Sequence, residues 1–533
     1  MTAQDQSHDV DREHLHAMGY AQELRRGLGT FSNFAISFSI ISILAGGFTS
    51  FWIGLLFGGP LVVTVGWILV GALSLCVGMA MGEICSTYPT AGGLYFWSAK
   101  LARTNGAKWS WFTGWFNFIG QVGVTASVDY ALANYVIRLI NLYGDDPAND
   151  PIIKLKAVPI FIVFLIVLAA HGLLNTFGVH LVKKLGDISV WWHVFGVLVI
   201  VVVLLAGPDH HQGVSYLFDY QNNSSWHGGI STIYVFFLGF LLAQYTITGF
   251  DASAHVSEET VGARTSAPKA IVRSIYVSVI AALLMNWAFL LAMPDEEGIE
   301  SKIGAIGITA PVDLFAMTLG SFSTKLLVLI ATLGQFFCGM ACVTANSRMI
   351  YAFSRDGGLP GSKYWHRINP KTRTPTNSVW FAVVIAAIVG ALSLIQHDGV
   401  ATAFFALTGI AVVGLYISYV IPVFLRLRNP AFQQGEWNLG RWSQLIGWIS
   451  VVWVGFISIL FFAPLFPTWK WWDADQVNTA NFAGPLVVAS ILLVWAWWSL
   501  SAKNWFTGPK VQGTREELLA IERELEALEH AGE

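Results

Sequence analysis

The chain alternates between long apolar runs and short polar connections, and the runs share a common scale. Apolar stretches fall near 32–57, 60–82, 109–140, 156–177, 188–206, 228–255, 268–293, 311–353, 376–395, 400–425, 443–463 and 482–502. About 20 apolar residues in a helix span the hydrocarbon of a bilayer. Lipid supplies no water to an open backbone and the runs are too long for barrel strands, so each is predicted to be a helix. The pattern therefore predicts an all-α integral membrane protein with twelve transmembrane helices.

The connections agree with that count. If the N-terminus lies inside, 24 of the 30 Lys and Arg fall on inner connections, and the outer ones hold only Arg138, Lys154, Lys156, Lys302, Lys325 and Lys470. The positive-inside bias then predicts a multi-pass protein of the plasma or inner membrane with both termini cytoplasmic. The first ~30 residues are polar and lack the apolar core of a cleavable signal peptide, so the first span is expected to direct its own insertion. In the tail 514–533, Leu518, Ile521, Leu525 and Leu528 predict a short amphipathic helix packed on the inner face.

Composition narrows the class. Of 533 residues, 55% are hydrophobic and 12% charged, against about 25% charged in a soluble domain. The 23 Trp fit interfacial belts, and a net charge of −3 argues against nucleic-acid binding. Cys76, Cys85, Cys338 and Cys342 are too few for a disulfide framework, and the last two read as packing residues. His210 and His211, in the outer loop 207–227, have no clear further ligands beside them. No metal or cofactor is expected. Asn222 and Asn223 begin glycosylation-type triplets.

Two spans carry interruptions. The first holds adjacent Gly46 and Gly47; the sixth holds Gly249 and the carboxylate Asp251. A helical Gly costs about 1 kcal/mol relative to Ala, and an intramembrane carboxylate costs several. Breaks at corresponding places in two halves point to a transporter site, where helix ends would offer N–H groups to a carboxylate and carbonyls to an ammonium. The competing reading is that Gly46 and Gly47 only let helices pack closely.

Three motifs add a resemblance. Residues 81–97 (MGEICSTYPTAGGLYFW) resemble the signature after the second helix of amino acid–polyamine–organocation permeases. Residues 249–252 (GFDA), with Glu258-Glu-Thr260, look like that superfamily's sixth-helix motif, and residues 344–360 (TANSRMIYAFSRDGGLP) like its eighth-helix exit. Residues 32–38 and 249–260 are most similar to the amino acid/choline transporter branch, which includes GABA permeases and choline carriers. The resemblance runs from about Gly19 to the twelfth span. It implies a LeuT-type fold: a cytoplasmic segment 1–31, inverted five-helix repeats over 32–206 and 207–425 with discontinuous helices one and six, two peripheral helices over 426–502, and a cytoplasmic tail 503–533.

The resemblance also implies roles. Ala45, Gly46 and Gly47 match the break that receives a substrate carboxylate, with Thr49 beside it. Thr248, Gly249 and Phe250 match the break that takes the amino group and closes an aromatic over it, and Tyr245 lies one turn earlier. Asp251 reads as a structural or gating carboxylate in preference to a cation ligand. His193, counted from Gly178, matches a lysine that many proton-coupled relatives carry, and histidine titrates near neutrality. Asn117 and Gln121 share a face of span three, and Gln121 is a candidate for the substrate; Gln335 is an alternative amide. Asp129 is expected near the outer end, paired with Arg138 or a polar neighbour. Glu83 is expected to pin the inner loop.

These readings converge on an alternating-access permease for amino acids, running as an amino acid:proton symporter. A choline, ethanolamine or other small-amine carrier and an amino acid exchanger are the alternatives. A nutrient sensor is disfavoured by tails of about 30 residues. A membrane enzyme is disfavoured by the lack of a His-box, a metalloprotease helix motif or a nucleophile elbow. The partners implied are a small-molecule substrate and the lipid bilayer.

Overall fold

The computed structural model describes residues 3–146, 150–177, 179–226, 228–295, 298–394, 400–462 and 483–530. The chain is almost wholly helical. In order come α1 (Ala3–Ala17), α2 (Thr30–Ile41), α3 (Phe48–Leu56), α4 (Trp67–Thr87), α5 (Gly106–Asn141), α6 (Ala157–Thr176), α7 (Val179–Ala206), α8 (Gly229–Leu238) and α9 (Leu241–Thr246). Then come α10 (Ala252–His255), α11 (Ala263–Leu291), α12 (Ser321–Arg355), α13 (Thr376–Gly390), α14 (Val400–Leu427), α15 (Ser443–Phe462), α16 (Ala483–Leu500) and α17 (Arg515–His530).

Each apolar stretch marked in the sequence falls on helix, with three boundary corrections. The stretch 228–255 is three helices. The stretch 311–353 is a short helix, Ala310–Thr318, followed by the 35-residue α12, because Leu319 and Gly320 are extended. The fifth helix begins at Val179, earlier than the run 188–206 suggests. Among the described residues, nine helical segments are long and apolar enough to cross a membrane. The 36-residue α5 is not one of them, since Asn117, Gln121, Asp129 and Asn134 dilute its apolar character. Lys470, Gly178 and the start of the twelfth stretch lie outside the described residues.

Small residues let these helices approach, as expected where lipid is as apolar as the interface and association rests on packing. A Cβ on Gly120 would stand 2.7 Å from the Leu415 nitrogen, and one on Gly414 only 2.9 Å from the Gly120 Cα, so α5 and α14 touch backbone to backbone. Gly78 of α4 accepts Ile275 of α11 in the same way.

The two ends of the bundle are closed differently. At one end, Phe48, Phe51, Phe289 and Phe315 pack edge to face, with Phe48 and Phe289 centred 5.1 Å apart, beside the Arg138–Asp313 ion pair. The other end carries both termini and is polar. Buried pairs join Arg355 to Glu258 at 2.9 Å, Arg348 to Glu259 at 2.7 Å and Arg426 to Glu83 at 2.9 Å. Tyr20 and Tyr95 both donate to Asp356, at 2.9 and 2.7 Å. Burial first, and then the Asp356 charge, push the Tyr20 hydroxyl well above its ordinary range, so it remains a donor.

The N-terminal segment, anticipated only as polar chain, folds as α1 and docks. His16 meets Glu522 of α17 at 2.6 Å, and Arg25 meets Glu529 at 3.0 Å. The tail helix does pack on this face: Leu518 is buried and Ile521 half-buried, while Leu528 stays exposed.

Removing one partner of a buried ion pair costs about 3–5 kcal/mol, because the other charge is stranded. An Arg355→Ala variant also loses the guanidinium stacked 3.8 Å over Tyr20. Its unfolding midpoint in detergent should fall well below that of the parent, and Glu258→Gln in the same chain should recover part of the loss. A midpoint equal to the parent's would contradict this role for the ion pairs of the polar end.

Candidate functional site

The two interruptions predicted in the sequence face each other. Helix α2 ends at Ser42, whose φ of 9° and ψ of 102° lie outside helix, and the chain resumes as a π turn over Ile43–Gly47 that runs into α3. The break in the first span therefore starts at Ser42 and runs through the π turn that holds both glycines. Gly46 also serves close packing. A Cβ there would sit 2.7 Å from the Thr246 Cα, at the last residue of α9.

Past Thr246 the chain leaves helix at Ile247, and Gly249 adopts φ +91° before α10 begins at Ala252. Only glycine suits this point, because positive φ strains other residues and a Cβ would stand 2.2 Å from Ile40 Cγ2.

Freed backbone groups inside a bilayer must find partners within the protein. Here hydroxyls supply them. Ser42 takes the Ala45 N–H on its Oγ at 3.1 Å and the Gly46 N–H on its carbonyl at 2.9 Å. Thr49 donates to the Ala45 carbonyl at 2.8 Å, and Thr248 to the Gln244 carbonyl at 2.6 Å. Ser37 donates to the Phe250 carbonyl and accepts the Ser253 N–H, bridging the two breaks. The helix ends expected to be bare are thus capped in this closed arrangement.

Asp251 is fully buried and organises the centre. Its Oδ2 accepts from Gln121 at 2.9 Å and Asn117 at 3.1 Å, and its Oδ1 accepts from Tyr419 at 2.7 Å. His255 Nε2 lies 3.2 Å from Oδ2, while its Nδ1 lies 2.9 Å from the Ala91 carbonyl. Both ring nitrogens of His255 thus lie within hydrogen-bond reach of oxygens, tying α10 to Asp251 and to the Ala91 carbonyl. Phe250 packs on Tyr419, centroids 4.9 Å apart. Tyr245 shares a hydrogen bond with Ser127 at 3.1 Å.

His193 is fully buried and reaches the first break. Its Nε2 is 2.7 Å from Ser42 Oγ, and its Nδ1 is 2.8 Å from the Ser189 carbonyl. Glu83 stands apart from the breaks at the polar end, bonded to Arg426, Ser443 and Gln434. Asp129 does not pair with Arg138, which Asp313 occupies; its partner is His171, 3.1 Å away. Sequence reasoning missed Ser42, Ser37, His255, His171, Tyr419 and Tyr416, whose hydroxyl donates to the Ile247 carbonyl at 2.5 Å. The Tyr416/Tyr419 spacing of one turn was the signal available for the last two. Among the described residues, the buried amides of Gln335 and Asn286 have no hydrogen-bond partner. Their helix neighbours Gly334 and Met285 pack on the π turn, at Leu44 and Gly47.

Residues 28–497 match the family model described as amino acid permease. The chain belongs to the amino acid permease family. It is 39% identical to amino-acid permease BAT1 of Arabidopsis thaliana over 94% of this chain and 96% of that protein. A rice homologue of BAT1 is 38% identical over the same shares. A Candida albicans protein named for polyamine transport is 28% identical over 97% of this chain and 92% of its own. The permease is therefore a multi-pass membrane transporter of the amino acid or amine class, not an enzyme.

Two glycines offer a contrast. Gly249→Ala should cut solute uptake at least tenfold at equal expression, since it meets both positive φ and Ile40. Gly27→Ala, with nothing within 4 Å, should leave uptake unchanged. Equal rates for the two variants would remove the sixth-span break from the site.

Proposed function

We propose that the permease carries amino acids by alternating access, with the paired breaks as the substrate site and a proton moving with each cycle. The observation that carries this reading is the direct apposition of the two interruptions, Gly46 against Thr246 and Gly249 against Ile40. A zwitterion presents groups that can take over from the hydroxyl caps: a carboxylate can replace the Ser42 hydroxyl on the Ala45 N–H, and an ammonium can replace Thr49 and Thr248 on the carbonyls. Substrate entry then exchanges hydrogen bonds without stranding backbone groups in lipid. The expected inverted repeats over 32–206 and 207–425 would place the two breaks at equivalent positions, and the docking of α1 on α17 supports an even number of spans with both termini on one side, the cytoplasmic one.

His193 would carry the proton. With Nδ1–H committed to the Ser189 carbonyl, a neutral Nε2 accepts from Ser42, and Ser42 Oγ remains free to hold Ala45. Protonation makes Nε2 a donor, and the Ser42 hydroxyl hydrogen must turn elsewhere, toward the ground where the substrate binds. Proton and substrate thus act on one side chain.

The relative named for polyamine transport raises the amine alternative, which would need a free carboxylate beside the aromatics Phe250 and Tyr419. Asp251 has four donors around it, so amino acids fit better. Uptake into proteoliposomes, screened over alanine, GABA, arginine and choline, tests both points. An inward proton gradient should drive accumulation of an amino acid, and His193→Gln should abolish that drive while leaving counterflow exchange. Accumulation driven by counter-substrate alone, indifferent to the gradient, would establish exchange instead.

A further inference from the structure

We propose that Asp129 and His171 form a second proton-binding site, separate from His193, whose occupancy biases both helix breaks. Asp129 lies on α5 and His171 on α6, and both are fully buried. His171 Nδ1 is 3.2 Å from Asp129 Oδ2 and 3.1 Å from Oδ1. Gly339 of α12 makes the room: a Cβ there would lie 2.0 Å from Asp129 Oδ1 and 2.5 Å from His171 Cε1. The pair is therefore walled by three helices, with the Phe336 ring 4.5 Å from the imidazole.

The bonding leaves a contradiction that a mobile proton resolves. An ionised carboxylate buried in lipid needs a countercharge, and the nearest cation on its own helix, Arg138, is held by Asp313. From α12 the facing ionisable groups are the thiols Cys338 and Cys342, and from α9 the Tyr245 phenol; none is a cation. Helix α13 carries no ionisable residue; on α14, Tyr416 donates to the Ile247 carbonyl, Tyr419 to Asp251, and Arg426 is paired with Glu83; and on α7 the buried His193 is bonded to Ser42 and Ser189. Neutrality thus requires the pair to hold one proton beyond Nδ1–H, on His171 Nε2 or on the carboxyl. Yet among the described residues neither Nε2 nor Asp129 Oδ1 has a hydrogen-bond partner. Charge favours the proton while the closed packing offers it no acceptor, so any rearrangement that brings water or a polar group to Nε2 raises proton affinity, and by linkage protonation favours that rearrangement.

The walls of the site lead to both breaks. Ser127, two residues before Asp129, bonds Tyr245 just ahead of the sixth-span break. Cys338, next to Gly339, donates to the Ile40 carbonyl at 3.3 Å, two residues before Ser42.

Infrared difference spectra of the purified permease, labelled with ¹³C-aspartate and taken without ligand over about pH 5 to 9, test the site on the unaltered chain. An aspartate band that changes with pH, either a protonated carboxyl or a carboxylate stretch shifted by the charge on His171, and that persists in His193→Gln and vanishes in Asp129→Asn is expected. Protection factors over 40–47 and 247–251, exchange rates corrected for the intrinsic pH dependence of amide exchange, should change with pH in the parent and in His193→Gln, and be constant in Asp129→Asn and His171→Gln. A parent in which neither the carboxyl nor the carboxylate band of Asp129 changes with pH overturns the proposal, as does pH-dependent protection surviving in both pair variants. Loss of gradient-driven uptake in His193→Gln has no bearing on these readouts, so the two proton sites stand or fall separately.

Discussion

Everything in the centre of this permease follows from one constraint: a main-chain group released from a helix inside lipid must be satisfied by the protein itself. The chain breaks two spans and meets the demand with hydroxyls. Ser37, Ser42, Thr49 and Thr248 each bond a backbone group that an unbroken helix would have paired. Hydroxyls suit this task because they donate and accept and can rotate between roles at little steric cost. Such caps pair the released main-chain groups, yet each can yield to a ligand group of the same polarity.

The carboxylates follow a related logic. Asp251 is wrapped by Asn117, Gln121, Tyr419 and His255, drawn from α5, α14 and the short α10 that follows it. That saturation makes it a hub holding α5, α10 and α14 around the break, and leaves little affinity for a passing cation. Glu258, Glu259 and Glu83 each have an arginine at the end that carries both termini. Opening that end means separating several buried pairs together, whereas the opposite end relies on aromatic packing and the Arg138–Asp313 contact. The two ends therefore differ in the kind of interaction that must be broken.

Much of the architecture was legible from the residues. Run length and the absence of charge placed the helices, because the bilayer imposes a minimum apolar length that is a local property of sequence. Gly249 was legible for the same reason, since a glycine beside a carboxylate in mid-span serves neither lipid contact nor an unbroken helix. At Gly46 both readings meet: it lies in the π turn of the interruption and also makes the close contact with Thr246, while the turn itself starts at Ser42. A serine in an apolar run carries no mark that distinguishes a cap from a packing residue. The docking of α1 was invisible because its polar side chains find their partners about 500 residues away, in α17.

The sequence alone determined a helical membrane protein with interruptions in its first and sixth apolar stretches, since hydrophobic length and glycine placement act within a few turns of chain. Only the tertiary structure decided that Asp129 faces His171 and not Arg138, that Tyr419 reaches Asp251, and that His193 touches Ser42. Such pairings depend on which helix faces which and in what rotation. That is settled by close approach at residues such as Gly120 and Gly414, where backbones touch, and Gly339, which makes room for Asp129 and His171, and no local pattern encodes it.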